Sequence, residues 1–422
     1  MEQPKYRSAS QKASAEDELA EEARNEAAPR WRFAVASGIL GWILDAYYFF
    51  ILIFLVDALA GKFAVSKSAI VWSISVTLAT RPVGALLLGA LADRFGRRGP
   101  LIACVLFFSV VSAFTPFAPN YHAFLILRAL YGVGMGGYWG IGASLVMESS
   151  PAAARGFFSG ILQAGYSLGY LLAAAAMPVV VPRLGWEWVF LGGLLLAVPI
   201  VALAALAVEP QAWQRNRMSG SGELLRILWE HKGMFVYLVL LMTAITCYSH
   251  GSQDLYPDFL KSVHGFSSLA VSNLAILYNL GAILGALAIG HLSQKIGRRW
   301  SILAALAFAL LALPAWAFGG SVATIASGAF VLQFGVQGVF GVIPAHLNEL
   351  SPPAIRSSFA GTVYQLGMLI GAPSVGIEFA LRRTLGYGWA LAGFEIATIA
   401  ALAVICGLGP EKKGRDLDRF HS

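Results

Sequence analysis

A polar segment with acid–base groups lies near the middle of the sequence. His250, Asp254 and Asp258 follow one another at intervals of four residues, which places them on one face of a helix. Hydroxyl and amide groups lie beside them at Ser249, Ser252 and Gln253, and of these Ser249 and Gln253 are candidate substrate contacts. An imidazole one helical turn from a carboxylate can relay a proton, so the segment predicts proton coupling through His250 and Asp254. The alternative is a polar helix end packed against its neighbours, because Pro257 indicates a break.

Two arginines and one aspartate lie inside otherwise apolar stretches. The guanidinium of Arg81 can take a carboxylate through two parallel hydrogen bonds, and Asp45 is a second candidate for proton coupling. The alternative for Arg81 is a structural ion pair with Asp45, and both interpretations hold if a substrate competes with Asp45 for the arginine. Arg128 is a second anion contact, a charge that steers incoming anions, or a side chain that reaches outward to water.

Further polar groups in apolar stretches are candidates for a binding site, each with packing as the alternative. They are Gln163, Tyr166, Tyr364 and Gln365. The acids at 57, 258, 378 and 395 lie nearer the ends of such stretches. The three cysteines, Cys104, Cys247 and Cys406, form no pairing or metal motif, so we expect no disulfide, metal or other cofactor. The sequence has neither a P-loop nor a nucleophile elbow, and an enzyme is therefore not expected.

The composition shows which elements must position these residues. Of the 422 residues, 57% are hydrophobic and only 13% are charged, against about 25% charged in soluble domains. The apolar runs are long and do not alternate, which indicates membrane-spanning helices. The net charge of +7 does not indicate a nucleic-acid partner, because the basic residues lie in the short gaps between apolar runs. Residues 1–30 are polar, have no signal-peptide core and are expected to form a cytoplasmic tail.

Twelve stretches are long enough to cross a bilayer at about 20 residues each. They are 33–60, 69–92, 99–118, 121–147, 156–182, 187–208, 233–260, 268–294, 300–319, 322–349, 356–381 and 388–409. The chain thus divides into an N-terminal six-helix bundle over 31–208, a cytoplasmic linker over 209–232, a C-terminal bundle over 233–409 and a tail over 410–422.

The basic residues predict the orientation of the spans. If both termini are cytoplasmic, 22 Lys and Arg lie on the cytoplasmic side and six outside, with Arg81 and Arg128 within spans. The positive-inside rule therefore predicts a multi-pass protein of the plasma membrane with cytoplasmic N- and C-termini.

The two halves repeat each other at an offset of 201 residues. Residues 89–98 (GALADRFGRR) align without a gap with residues 290–299 (GHLSQKIGRR), and the offset also pairs Glu148 with Glu349 and Arg155 with Arg356. Because each repeat contains an even number of spans, the halves are parallel. We expect a substrate site between them near mid-membrane and alternating access by rocking one half against the other.

These repeated loops resemble the signature of the major facilitator superfamily. ESSPAAARG at 148–156 and ELSPPAIRS at 349–357 are similar to its second repeated motif. The resemblance implies the twelve-helix fold of that superfamily and a conformational latch between its halves. In the latch, Asp93 accepts from a helix N-terminus or an arginine of the other half, and Gln294 makes the second copy weaker. The latch residues are Asp93, Arg97, Glu148, Arg155, Arg298, Glu349 and Arg356.

The polar segment itself resembles the span-seven signature of the sialate:proton symporter family, N-x-x-[ST]-H-x-[ST]-Q-D-x-x-x-T. Residues 249–254 (SHGSQD) match it, and GWILDAYYFF at 41–50 is similar to that family's first span, with Asp45 retained. Tyr48 and Tyr138 stand where the family usually has acids, so coupling would depend more on Asp254 and Asp45. The resemblance implies a monomeric, proton-coupled symporter of lactate or pyruvate. Sialate or another organic acid is the alternative, and a permease-like sensor that does not transport is a remote one.

Overall fold

The computed structural model describes residues 30–415 and residue 417, so the predicted tail over 1–30 lies almost wholly outside this part of the chain. Every regular element among the described residues is helical. The predicted all-α class is therefore confirmed.

The N-terminal half consists of seven α-helices. They are α1 (Arg30–Phe54), α2 (Val56–Phe63), α3 (Lys67–Phe95), α4 (Arg98–Ala113), α5 (Tyr121–Ser149), α6 (Arg155–Leu184) and α7 (Glu187–Leu206). Two short helices follow in the linker, α8 (Gln211–Asn216) and α9 (Ser221–Glu230).

The C-terminal half repeats this order with one more interruption. Its helices are α10 (Lys232–Gln253), α11 (Tyr256–Ser262), α12 (Ser268–Ile296), α13 (Arg298–Phe318), α14 (Val322–Leu350), α15 (Arg356–Gly371), α16 (Ser374–Leu385) and α17 (Tyr387–Leu408). The turns at Gly96 and Gly297 both have positive φ, at 111° and 100°, which is the conformation that glycine adopts without strain.

Three predicted spans are interrupted helices. The first breaks at Leu55, the seventh ends at Gln253 and resumes at Tyr256, and the eleventh breaks between Gly371 and Ser374. In the eleventh, Pro373 cannot donate the backbone hydrogen bond that would continue the helix. The stretches predicted as spans over 33–60, 233–260 and 356–381 are thus each formed by two helices, and the seventh is the one for which Pro257 indicates a break.

Ten helical segments of the described chain are long and apolar enough to cross a membrane. The fourth and eleventh predicted spans are not among them. The fourth is the full-length helix α5, but it is rich in glycine and carries Arg128, while the eleventh is divided into α15 and α16. Both pack against α3 in the interior of the molecule, where a helix needs no fully apolar surface.

The two halves meet along six helices, three from each half. Helix α6 packs against α12 and α14, and α15 packs against α3 and α5. Large apolar side chains face outward, where Leu311 is 78% exposed and Leu195 is 72% exposed, as expected of a surface in contact with lipid.

The halves touch backbone to backbone at one end, which we call the closed end. It carries the turns at Gly96 and Gly297. A Cβ on Gly140 would lie 2.5 Å from the Ser357 carbonyl oxygen, and a Cβ on Gly156 would lie 2.5 Å from that of Gly290. These glycines let the helices of opposite halves approach closely.

Candidate functional site

A polar site lies between the halves at the middle of the helices. Arg81 is the fifteenth of the 29 residues of α3, and Gln163 and Tyr364 each lie eight residues into α6 and α15, about 12 Å from the closed end. Gln163 Nε2 donates a hydrogen bond of 3.2 Å to Tyr364 Oη. The offset of 201 relates these two residues, so the bond joins equivalent positions of the two halves.

Aromatic rings surround this site. Trp139 stacks on Tyr364 with ring centroids 3.8 Å apart, and Trp42 stacks on Tyr166 at 5.7 Å. The charge of Arg81 interacts with both tyrosines. The site thus combines one cation with flat apolar surfaces contributed by both halves.

Arg81 is buried without a carboxylate partner. The residue is 3% exposed, its Nε has no hydrogen-bond partner, and no ion pair within 4.0 Å joins it to Asp45 among the described residues. Asp45 lies close enough to interact with Arg81 electrostatically, but its Oδ1 accepts from Tyr131 Oη at 3.2 Å and its Oδ2 is unpartnered. The structural ion pair considered from the sequence is therefore not formed in this structure.

His250 and Asp254 form a hydrogen-bonded pair. His250 Nδ1 and Asp254 Oδ2 are 2.6 Å apart at the end of α10, and the side chains are 24% and 35% exposed. This pair is open to water, whereas the residue Asp45 is fully buried. The candidate proton groups thus differ strongly in their access to water.

The other predicted substrate contacts have different surroundings. Gln253 Nε2 donates to Ser249 Oγ at 3.0 Å, so these two side chains satisfy each other. Gln365 is 1% exposed, and both atoms of its amide group lack a partner.

Arg128 is packed inside the N-terminal half rather than extended toward water. The residue is 1% exposed, its Nη2 donates to Thr115 Oγ1 at 2.9 Å, and its guanidinium lies 4.8 Å from the ring centroid of Tyr131. The outward-reaching conformation considered from the sequence is not adopted. Through Tyr131, which bonds Asp45, Arg128 is connected to the buried carboxyl group.

The predicted latch residues gather at the closed end. Arg97 makes two parallel hydrogen bonds to Glu148, both 3.0 Å, and the equivalent Arg298 makes two to Glu349, at 2.9 and 2.8 Å. An arginine of the opposite half extends each pair into an ion pair between the halves. Arg356 lies 2.6 Å from Glu148, and Arg155 lies 3.7 Å from Glu349.

Asp93 lies at the N-terminus of α15 in the other half. It accepts from the backbone N–H groups of Ser357 and Ser358, both at 3.0 Å, and from the Ser358 hydroxyl at 2.6 Å. Gln294, at the equivalent position, accepts one hydrogen bond from Gly156 N at 3.1 Å and donates one to Ala152 O at 2.9 Å. The first copy thus has a charged acceptor with three cross-half bonds, and the second a neutral amide with two.

Sequence reasoning missed several contacts of the closed end. Ser144 Oγ donates to Asn348 Oδ1 at 2.9 Å across the halves, and Ser159 Oγ donates to Gly341 O at 2.7 Å. The alignment of the repeats alone could not have predicted the two serine contacts, because they depend on how each helix is rotated about its own axis.

Glu209 accepts from the backbone of Arg97 and Arg98. The linker and tail add further bonds, from Trp213 to Asp93 O and from Arg155 to Arg415 O.

The two repeated helical halves, with a polar site between them and a hydrogen-bonded closed end, define a membrane transporter rather than an enzyme. The family model described as Major Facilitator Superfamily matches residues 38–372, and the chain belongs to that superfamily.

Known relatives carry small organic acids. The chain is 29% identical to a carboxylic acid transporter protein homolog of Saccharomyces cerevisiae, over 82% of this chain and 60% of the yeast protein. It is also 29% identical to a putative niacin/nicotinamide transporter, NiaP, of Bacillus subtilis (90% and 96% covered). A sialic acid transporter of Escherichia coli, NanX, is 23% identical (90% and 94% covered).

The fold itself matches a solved transporter. The proton:xylose symporter XylE superposes with a TM-score of 0.70 at 19% identity, over 93% of this chain and 98% of that one. This likeness shows the fold of the chain. Membership of the narrower sialate:proton symporter family stays a prediction.

Proposed function

We propose that this protein carries a small monocarboxylate, lactate or pyruvate, together with a proton by alternating access. The observation that carries the proposal is Arg81, which is 3% exposed at the junction of the halves and has no carboxylate of the described residues within 4.0 Å. An unpaired buried cation is costly, and a substrate carboxylate would neutralise it through two parallel hydrogen bonds.

The surroundings of Arg81 favour a monoanion. A second carboxylate on the substrate would need a second cation, and Arg128, the other arginine within a predicted span, is already bonded to Thr115 and packed on Tyr131. The alternative anionic substrate, sialate, would place many hydroxyl groups against the stacked rings of Trp139 and Tyr364.

The stacked rings favour a second candidate, a planar aromatic monocarboxylate such as nicotinate. Trp139, Tyr364, Trp42 and Tyr166 offer ring faces near the Arg81 charge, and aromatic rings stack favourably on one another. The relative from Bacillus subtilis is described as a niacin/nicotinamide transporter, which supports including this ligand.

Proton coupling would use the two carboxyl groups on either side of the site. Asp45 is buried beside Arg81, so loading of an anion on Arg81 would change the charge that Asp45 senses. His250 and Asp254 are open to water and would exchange the proton. The latch residues would hold the closed end until substrate and proton are bound.

Uptake by proteoliposomes tests the proposal. Labelled lactate, pyruvate, nicotinate and sialate are offered with and without an inward pH gradient, with a protonophore as the control. We expect one of the monocarboxylates to accumulate above equilibrium only with the gradient. Uptake that is indifferent to the gradient would exclude proton symport, and gradient-driven uptake of sialate alone would exclude the monocarboxylate assignment.

We further propose that the protein lies in the plasma membrane as a monomer with both termini in the cytoplasm. The 22 basic residues on one side against six on the other support this orientation. The closed end is then cytoplasmic, and the structure is an outward-facing state.

A further inference from the structure

Two carboxyl groups of the C-terminal half are buried with no hydrogen-bond partner. Glu378 on α16 is 1% exposed and Glu395 on α17 is fully buried. Neither oxygen of either side chain has a hydrogen-bond partner in the part of the chain that the structure describes. The two groups interact electrostatically with each other, and Glu378 also interacts with Asp254.

No basic group neutralises this pair. Among the described residues, neither Glu378 nor Glu395 interacts electrostatically with an Arg, Lys or His. The titratable groups that face the pair from α10 are Asp254, Cys247 and Tyr248, and none of them is a cation. The basic residues of α16, at 382 and 383, lie in its last turn, and Arg382 is paired with Asp258.

Burial without a counter-charge determines the protonation of such a pair. A carboxylate in an apolar interior costs far more than a protein can recover, so the group takes up a proton instead. Two neighbouring carboxyl groups reinforce this, because they cannot both be ionised without strong repulsion. A bound cation is the other way to remove the charge, but no group of His, Cys, Asp or Glu in the described chain is arranged to hold a metal ion.

Glu395 is also in direct contact with the helix of the His250–Asp254 pair. A Cβ on Gly251 would lie 2.5 Å from Glu395 Oε1, so the carboxyl group rests on the backbone of α10 next to His250. Any movement of α10 relative to α17 would change the space around this carboxyl group. Its protonation and the position of α10 are therefore linked.

We propose that Glu378 and Glu395 form a second proton-binding site, in the C-terminal half, which exchanges a proton when α10 moves during transport. This inference rests on the proposed proton-coupled function. It adds a site behind Asp254 that the substrate does not touch. Asp254, which interacts with Glu378, is 35% exposed and would connect the pair to water.

Infrared difference spectroscopy on the purified full-length protein tests the resting state of the pair without any transport. The variants are Glu378→Gln and Glu395→Gln, which keep the shape of the side chain. The control is Glu230→Gln, at an exposed ion pair of α9. At neutral pH we expect each of the first two variants to lose a protonated-carboxyl band, and the control to lose a carboxylate band. Loss of a carboxylate band in both interior variants would overturn the proposal.

Proton counting in proteoliposomes tests the exchange. The number of protons per substrate, from the membrane potential at which flux reverses, should fall in Glu395→Gln relative to the wild type and to Glu230→Gln. An unchanged ratio in an active variant would overturn the exchange. A sodium ion is the alternative ligand of the pair. If sodium chloride stabilises the wild type against unfolding more than choline chloride does, and Glu395→Gln abolishes this difference, the pair binds sodium and the proposal of a proton site is overturned. Absence of proton movement in the wild type itself would instead refute the proposed function, while the infrared bands would still report on the pair.

Discussion

At the scale of single residues, Arg81 is a buried cation with no carboxylate partner among the described residues. It was recognised from the sequence because an arginine deep in an apolar span is rare. The sequence could not predict whether Arg81 pairs with Asp45 or is left for a substrate. The answer depends on the position of the Asp45 carboxyl group, which is bonded to Tyr131.

Replacing Arg81 by lysine should weaken substrate binding. Arg81→Lys keeps the charge but loses the two parallel hydrogen bonds, a loss of about 1.5–3 kcal/mol for a bond to a charged group. We expect affinity to fall by about tenfold or more, as measured by direct binding to purified protein. Arg81→Gln should abolish binding, and saturable binding by a folded Arg81→Gln protein would leave the arginine with a structural role only.

Replacing Asp254 should separate exchange from accumulation. Asp254→Asn keeps the shape of the side chain that bonds His250 but removes the group that titrates. Counterflow exchange should persist while gradient-driven accumulation is lost. Asp258→Asn is the matched control, because Asp258 lies one turn further along the same segment and is bonded to Arg382 and Tyr387. Accumulation by Asp254→Asn after a pH step would transfer the coupling role to His250, and His250→Ala would then be tested.

At the scale of elements, the repeat was predictable, and of the three helix breaks only the one near Pro257 was indicated by the sequence. The offset of 201 residues could be recognised because the turns at 89–98 and 290–299 share a glycine, a leucine and a final Gly-Arg-Arg at the same spacing. The break at Leu55 has no proline or glycine within it, so local sequence carried no signal for it. The buried side chains that contact across the halves depend on helix rotation, which apolar composition alone does not define.

Helix α15 begins on a carboxylate of the opposite half, and this contact should control the closed end. Asp93→Asn removes the charge that faces the helix N-terminus and Arg97. Asp93 accepts three cross-half hydrogen bonds, each worth about 1.5–3 kcal/mol for a charged acceptor, so their weakening should raise the opening of the closed end by about tenfold or more. A cysteine at the buried Ser144, in a background without the three native cysteines, reports this opening through its reaction rate with a thiol reagent.

Gln294→Ala serves as the matched variant on the second copy of the latch. It removes two cross-half hydrogen bonds between neutral groups, each worth about 0.5–1.5 kcal/mol, so the Ser144→Cys probe should react faster than in the parent but slower than in Asp93→Asn. Equal reaction rates in the two variants would contradict the asymmetry between the copies.

At the scale of the whole molecule, the two halves are held together at one end only. The hydrogen bonds between the halves in the described chain lie between Gln163 at mid-depth and the closed end. Rocking one half against the other therefore requires these bonds to break together while the opposite end closes over Arg81. Since the contacts are concentrated in a small region with repeated geometry, the two states can be close in free energy.

Labelling from the two sides of the membrane should reveal the orientation of this molecule. Arg94 and Lys295 are exposed, equivalent by the offset of 201, and both at the closed end, whereas the exposed Arg383 lies at the other end of the molecule. With cysteines at these positions in the cysteine-free background, we expect a membrane-impermeant reagent applied to intact cells to label only position 383. Positions 94 and 295 should react only after permeabilisation. Labelling of 94 and 295 from opposite sides would contradict the parallel repeat, and labelling of both from outside would reverse the orientation and make the structure an inward-facing state.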